Sequence, residues 1–225
     1  DAYPGRDFSS SERLLSQGRV LAMHLGQILL PLPQLLPFYY DDLAVSRGWL
    51  QPATTLPAWL LIAGLLAWAW RWRSRHPLFT LGVLLFFAGH FLTSNVVNLE
   101  LAFEHRNHFP LIGVALAIGE LGMTAYRRWA PRPAIVVALL TLAMAAEGAA
   151  TAARAYTWGE PLRFARSSVK TSPESTRAWL ALCGAYFQRS GGKAHTAAME
   201  RTITVCEKGA HRTESPQLLS NVVIF

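Results

Sequence analysis

Four long apolar runs organise the first two thirds of the chain. Ala53 to Trp70 carries no charged residue, and Pro77 to Leu99 carries none unless His90 is protonated. Phe109 to Tyr126 is interrupted only by Glu120, and Ala134 to Ala153 only by Glu147. A helix needs about 20 apolar residues to cross a bilayer, so each run predicts one membrane-crossing helix. A proline at or near the start of several runs suits a first helical turn, where its missing N–H costs nothing.

The flanking segments follow different patterns. From about Ser10 to Leu30, the apolar positions Leu14, Leu15, Val20, Leu21, Leu25, Ile28 and Leu29 alternate with Arg13, Gln17, Arg19, His24 and Gln27. The serine-rich start with Glu12 close behind marks a helix N-terminus, and Pro31, Pro33 and Pro37 end it. Two arginines inside the stretch disfavour a fifth crossing, because charge at bilayer depth is costly. The pattern instead predicts an amphipathic helix in the outer interface. After Trp158 the sequence becomes ordinarily polar. Ser172-Pro173 opens one helix, Ser190-Gly191-Gly192 makes a turn, and a second helix runs over about 193–208. Trp179, Leu182 and Tyr186 have the W-x2-L-x3-Y spacing of a tetratricopeptide repeat, with Cys183 where glycine is usual. Pro216 opens a possible further helix. One such repeat cannot bury its own face, so the tail reads as the truncated start of an array, with a generic helical hairpin as the alternative. The expected organisation is an outer helix and loop (1–52), four crossings (53–156) and a helical tail (157–225), all-α throughout.

Composition supports this division. The chain has 225 residues, of which 52% are hydrophobic and 16% charged, against roughly 25% charged in soluble domains. The net charge is +7, but the cations gather at the ends of apolar runs, in Arg71–His76 and Tyr126–Arg132. That placement is a topology signal and not a nucleic-acid face. With both basic turns in the cytoplasm, the 93–108 loop and everything after Tyr156 lie outside it. The chain opens on Asp1 with no secretory leader visible, so it reads as a piece of something longer. Two cysteines outside the cytoplasm invite a disulfide. A turn centred near Gly191, however, puts residue 183 opposite 199, and Cys206 then lies seven residues further, roughly 10 Å along the axis. Free thiols are the expectation.

The strongest candidate site is Glu100 to His108, a knot of titratable groups between two apolar runs. Glu100, Glu104 and His108, spaced by four, would share one face of a helix. The Arg106 fork suits a phosphate or carboxylate. Three readings compete. The first is a lipid-linked phosphate site, with Arg106 as clamp and Glu104, His105 or His108 orienting it. The second is a metal site of Glu104, His105 and His108, whose spacing is not that of a zinc helix motif. The third is a solvated loop. The first is preferred, and no metal or cofactor is assigned. Asp41 and Asp42 form a second outward acidic pair, able to do acid–base work or simply to cap a turn. His90, Glu120 and Glu147 are candidates because ionisable groups are expensive inside a bilayer. No Gly-rich nucleotide loop, nucleophile elbow or N-glycosylation acceptor is present.

The order of "SERLLSQGRVLAMHLGQILLPLPQLLPFYYDDLAVS", paired spans, "LELAFEHRNHFPLIG" and a tetratricopeptide start resembles bacterial membrane proteins with C-terminal tetratricopeptide arrays. These are similar to the transmembrane-and-tetratricopeptide O-mannosyltransferases. Glu104, Arg106 and Pro110 match their acidic-Arg-Pro segment, and Tyr40-Asp41 with Ser46 matches their aspartate-containing segment. The resemblance covers about residues 10 to 115 and 170 to 192. It implies a bacterial inner-membrane GT-C type glycosyltransferase that moves a sugar from a polyprenyl phosphate to protein on the periplasmic face. It also implies that the catalytic aspartate lies in an earlier outer loop, which leaves this chain part of the donor site. Asn107-His108-Phe109 stands where that family has an aromatic-rich stretch. The alternative is a non-catalytic anchor presenting a tetratricopeptide scaffold to periplasmic proteins, in which Trp179 or Tyr186 would be needed for partner binding. A transporter built around Glu120 is a third class.

Overall fold

The structure is a computed structural model that describes residues 8–91 and 100–224. The last part of the second apolar run, 92–99, lies outside the described residues. Those described are helical, with one isolated bridge between Gly48 and Gln51. They fall into two compact units. The first contains the chain up to Pro31 and Ala44–Met144; the second contains Leu32–Leu43 and Ala145–Phe225. Residues 32–43 therefore belong with the tail.

In the first unit, α1 is Ser10–Leu29, α2 is Thr55–Trp72, α3 is Pro77–Phe91 and α4 is His108–Trp129, the last preceded by a 3-10 turn at Glu104–Asn107. Ser9 starts α1 with a reciprocal cap. Its hydroxyl accepts from the Glu12 N–H at 3.3 Å, and its own N–H donates to the Glu12 carboxylate at 2.8 Å. The apolar cores of α2, α3 and α4 meet through Ala69, Phe79, Val83 and Ala117. Antiparallel α3 and α4 come closest at Gly82 and Gly113. A Cβ on Gly82 would overlap the Gly113 carbonyl oxygen and sit 2.8 Å from the Ala117 nitrogen. Small residues that let backbones touch are how helices associate where no hydrophobic gain separates them from lipid.

Across one end of that bundle runs α1. The Trp59 indole, in the first turns of α2, donates to the Leu15 carbonyl at 3.1 Å. Further along, His24 stacks on His90 in the last turn of α3 and meets Asn107 at the start of α4. One helix touching three helix ends in this order lies over them, not alongside them. Its faces are also reversed relative to a soluble helix. Arg13, Ser16, Gln17, His24 and Gln27 are buried, whereas Leu14 and Leu29 are about half exposed.

Glu120 does not sit at mid-bundle. It lies level with the first turn of α3, where its carboxylate accepts from the Phe79 N–H and faces His76 at 3.6 Å. It caps the N-terminus of α3.

The helix α5, Pro133–Trp158, is exposed from end to end, with Leu142 67% and Met144 76% accessible. It and Glu104–Trp129, each 26 residues, are long and apolar enough to cross a membrane; α3 is a shorter apolar helix of 15 residues.

The second unit adds α6 (Pro161–Thr171), α7 (Thr176–Ser190), α8 (Ala197–Thr213) and α9 (Pro216–Ile224). Sequence patterning alone did not indicate α6, although Glu160 caps it, accepting from the Leu162 and Arg163 N–H groups, with Pro161 in its first turn. Leu162, Trp179, Leu182, Ala210 and Leu218 build one core across all four helices.

Cys183 and Cys206 form a disulfide across α7 and α8, with Cα atoms 5.2 Å apart, contrary to the expectation of free thiols. The error lay in the turn. α7 ends at Gly191 in the left-handed conformation, with φ +67°, but α8 begins only at Ala197, not near 193. The connection is centred near 194, which puts 183 opposite about 205. Closing a loop of this sequence separation, 23 residues, adds about 3 kcal/mol in the chain-entropy account.

Candidate functional site

The polar residues of α1 converge with those around Asn107. Gln17 donates from Nε2 to the Leu101 carbonyl at 3.0 Å. Arg106 donates from Nη1 to the Glu100 carbonyl at 2.7 Å. His24 Nδ1 lies 2.9 Å from Gln27 Oε1 and 3.2 Å from Asn107 Nδ2. One ring nitrogen cannot both donate to an amide oxygen and accept from an amide N–H, so one of these amides takes the flipped orientation. The His24 and His90 rings are stacked at 5.4 Å with 7° between planes.

Two arginines and Glu100 bring charge to this cluster. Arg13 is 1% exposed, and its guanidinium and the Glu100 carboxylate are the charged groups acting on Arg106. Burial holds the His24 imidazole below its usual range, opposed by its Gln27 hydrogen bond and reinforced by the Arg106 charge. Two guanidiniums, one carboxylate and a buried imidazole whose charged form is disfavoured therefore share this cluster.

The structure divides the expected donor residues. Arg106 points inward with Asn107, whereas His105 and His108 are exposed, the latter hydrogen-bonded to the His105 carbonyl at 2.6 Å. Glu104 is half-buried in the 3-10 turn, and Glu100 precedes that turn. No single helix runs from 100 to 108, so the expected shared face of Glu100, Glu104 and His108 does not form. Among the described residues no three His, Cys, Asp or Glu side chains gather as a metal site, so Glu104, His105 and His108 do not converge on an ion. His90 was a candidate on its own, but the sequence did not join it, Arg13, Gln17, His24 or Asn107 to the Arg106 segment. The signal was present in α1, where positions 13, 17, 24 and 27 form a polar stripe at helical spacing on an apolar helix.

Asp41 belongs to the second unit and acts as a clasp. Its carboxylate accepts from the Ser175 hydroxyl at 2.7 Å and from Arg177 at 3.1 Å, while the Ser172 hydroxyl donates to the Tyr39 carbonyl at 2.9 Å. Segment 32–43 is thereby fixed to the start of α7. Asp42 stands beside Asp41, and partial burial together with the Asp41 and Glu174 charges holds its carboxyl above the usual range. Burial works against ionisation of Asp41, yet the Ser175 and Arg177 hydrogen bonds hold its carboxyl below the usual range. A carboxyl depressed by folding contributes stability that is complete above its ordinary pKa and lost as pH falls through the folded value. Acidification below about pH 4, the ordinary Asp value, should therefore loosen 32–43 before the disulfide-held hairpin opens. Asp41→Asn should remove that acid step and, since the ion pair is partly exposed and the amide oxygen can still accept from Ser175, cost only about 1 kcal/mol at neutral pH. Hydrogen exchange of the Tyr40–Leu43 amides against pH measures both.

Trp179 and Leu182 are buried within the tail core, and the Trp179 indole donates to the Pro173 carbonyl at 2.8 Å. Tyr186 is partly buried and accepts from Arg166 at 2.7 Å. Trp179 and Leu182 hold the tail together and are not surface contacts for a partner. No protein-family model, curated protein or solved structure matches the chain.

Proposed function

We propose that this chain is the donor-binding part of an integral membrane glycosyltransferase that uses a polyprenyl-phosphate-linked sugar to modify protein outside the cytoplasm. The observation that carries the reading is the cationic cluster of Arg13 and Arg106, held beneath α1 at the ends of α2, α3 and α4. In this reading all four apolar helices cross the bilayer. Arg71, Arg73, Arg75, Arg127 and Arg128 keep one end in the cytoplasm, and α1 lies in the outer interface with its leucines towards lipid. The cluster then sits at the depth of a lipid phosphate. A guanidinium there holds the phosphate through a planar fork and offsets the charge it gains as the sugar–oxygen bond breaks. Its partner in the second unit is a tetratricopeptide-like tail in the periplasm of a bacterial inner-membrane protein, consistent with the disulfide.

The test uses the full chain in nanodiscs and a short polyprenyl phosphate, with retention read by native mass spectrometry. Arg106→Gln should weaken binding by roughly tenfold or more, the worth of one charge-assisted hydrogen bond. Unchanged binding, or labelling of a cysteine at position 105 only after the cytoplasmic side is opened, would overturn the reading. A second reading, a non-catalytic scaffold for periplasmic proteins, draws on the successive packing of α6, α7, α8 and α9, each on the next. Under it, Arg106→Gln is silent.

A further inference from the structure

A cleft of about 110 Å³ opens in the second unit between segment 33–38, the end of α5 and α6. Three kinds of side chain line it. Phe38 stands edge-on to Trp158 at 5.7 Å and to Phe164 at 4.9 Å, forming an aromatic wall. Arg154 also lines the cleft, its guanidinium 4.9 Å from the Trp158 ring centroid. The Thr157 hydroxyl also lines the cleft; it donates to the Ala153 carbonyl at 3.0 Å, so its lone pairs remain to accept.

Depth along α5 identifies the occupant. Arg132 precedes the helix, and Arg154 lies 22 residues on, about 33 Å at the α-helical rise. That matches the hydrocarbon core of about 30 Å, so when Arg132 is at one face Arg154 is at the head-group level of the other. Trp158 one turn further is the aromatic belt residue expected at that level. Beside the cleft, Leu32 and Leu35 expose about half their surface from the 3-10 turn at Pro33–Leu35, an apolar edge suited to acyl chains.

We infer that this cleft is a binding site for the phosphodiester of a membrane glycerophospholipid, with Arg154 on the phosphate, Thr157 accepting from the head group, and Leu32 and Leu35 against the acyl chains. The inference needs α5 to cross the bilayer but not the role proposed for Arg106, and it shares no residue with that cluster. A lipid held here would fix the tail at a set depth where the chain leaves the membrane.

A photoactivatable phosphatidylglycerol in nanodiscs holding the full chain tests it. The label should map to peptides containing residues 33–38 and 153–171. Arg154→Gln should reduce it about fivefold, the equivalent of roughly 1 kcal/mol for one basic residue at a membrane surface, and Arg154→Lys should restore it. Thr157→Glu leaves Arg154 in place but puts a carboxylate in the cleft, and should reduce label equally. Excess unlabelled phosphatidylglycerol should compete, and inorganic phosphate should not. Undiminished label in both loss variants overturns the site, and full competition by inorganic phosphate overturns the lipid assignment. Arg106→Gln should leave the label unchanged, which separates this result from that of the donor site.

Discussion

Replacing Trp179 with alanine should unfold the tail, not merely blunt a binding surface. The indole is 6% exposed, hydrogen-bonded at its nitrogen and packed directly on α8. The fit is mutual: a Cβ on Gly209 would come within 2.9 Å of Trp179, so α8 approaches the indole only because residue 209 is glycine. Truncating a buried tryptophan costs about 3–5 kcal/mol through lost transfer energy and the cavity left behind. A whole small domain is stable by only about 5–15 kcal/mol, so this loss is decisive. Reactivity of the Cys183–Cys206 bridge towards a mild reductant reports it, since the bridge lies in the same core. A variant that keeps its bridge protected and its helix content, yet no longer binds a periplasmic partner, would show that the indole serves recognition.

Gly82→Val should have its effect in the first unit, by separating α3 from α4. The atoms a side chain would meet at Gly82 are the Gly113 carbonyl oxygen, the Ala117 nitrogen and the Ala117 Cβ, none of which can rotate away. Overpacking a core typically costs about 1–3 kcal/mol when side chains can yield. Against backbone the upper end is expected, roughly 3 kcal/mol. His90 and Asn107 stand on the two separated helices, so the His24–His90 stack should open as well. A disulfide-trapping pair across α3 and α4 measures the separation: crosslinking should fall in Gly82→Val and remain in Leu81→Val, which alters an exposed position on the same turn. Equal crosslinking in both would mean that the close approach does not hold the pair.

How much was legible in the sequence varies by element. α1 was bounded within a residue, because Ser9, Glu12 and Pro31 are local signals and a cap is satisfied by neighbours along the chain. The four apolar runs became α2 to α5 for the same reason: composition over a helix length is a local property. The start signal of α8 is Thr196, whose hydroxyl accepts from the Met199 N–H; a helix begun near 193 overlooks it, and that shift alone produces the wrong disulfide expectation. α6 was missed because its amphipathic pattern is short and follows directly on α5. Within the candidate site, Arg106 was visible as an arginine between apolar runs, but its company was not. His105 and His108 were grouped with it by nearness in sequence, yet a 3-10 turn followed by a new helix sends them outward while Arg106 and Asn107 turn in.

The sequence by itself determined where most of the helices form and that two of them, α5 and α4 with the turn before it, are long and apolar enough to cross a bilayer, since both follow from runs of apolar residues and their local caps. Only the tertiary structure decided which polar groups meet. Arg13, His24, His90 and Asn107 come from two helices and a turn, and Glu120, Asp41 and the cysteines likewise find partners far along the chain or across a turn of unannounced length. Hydrogen bonds and close charges act over a few ångströms in space, and no spacing in the chain encodes those distances until the helices have packed.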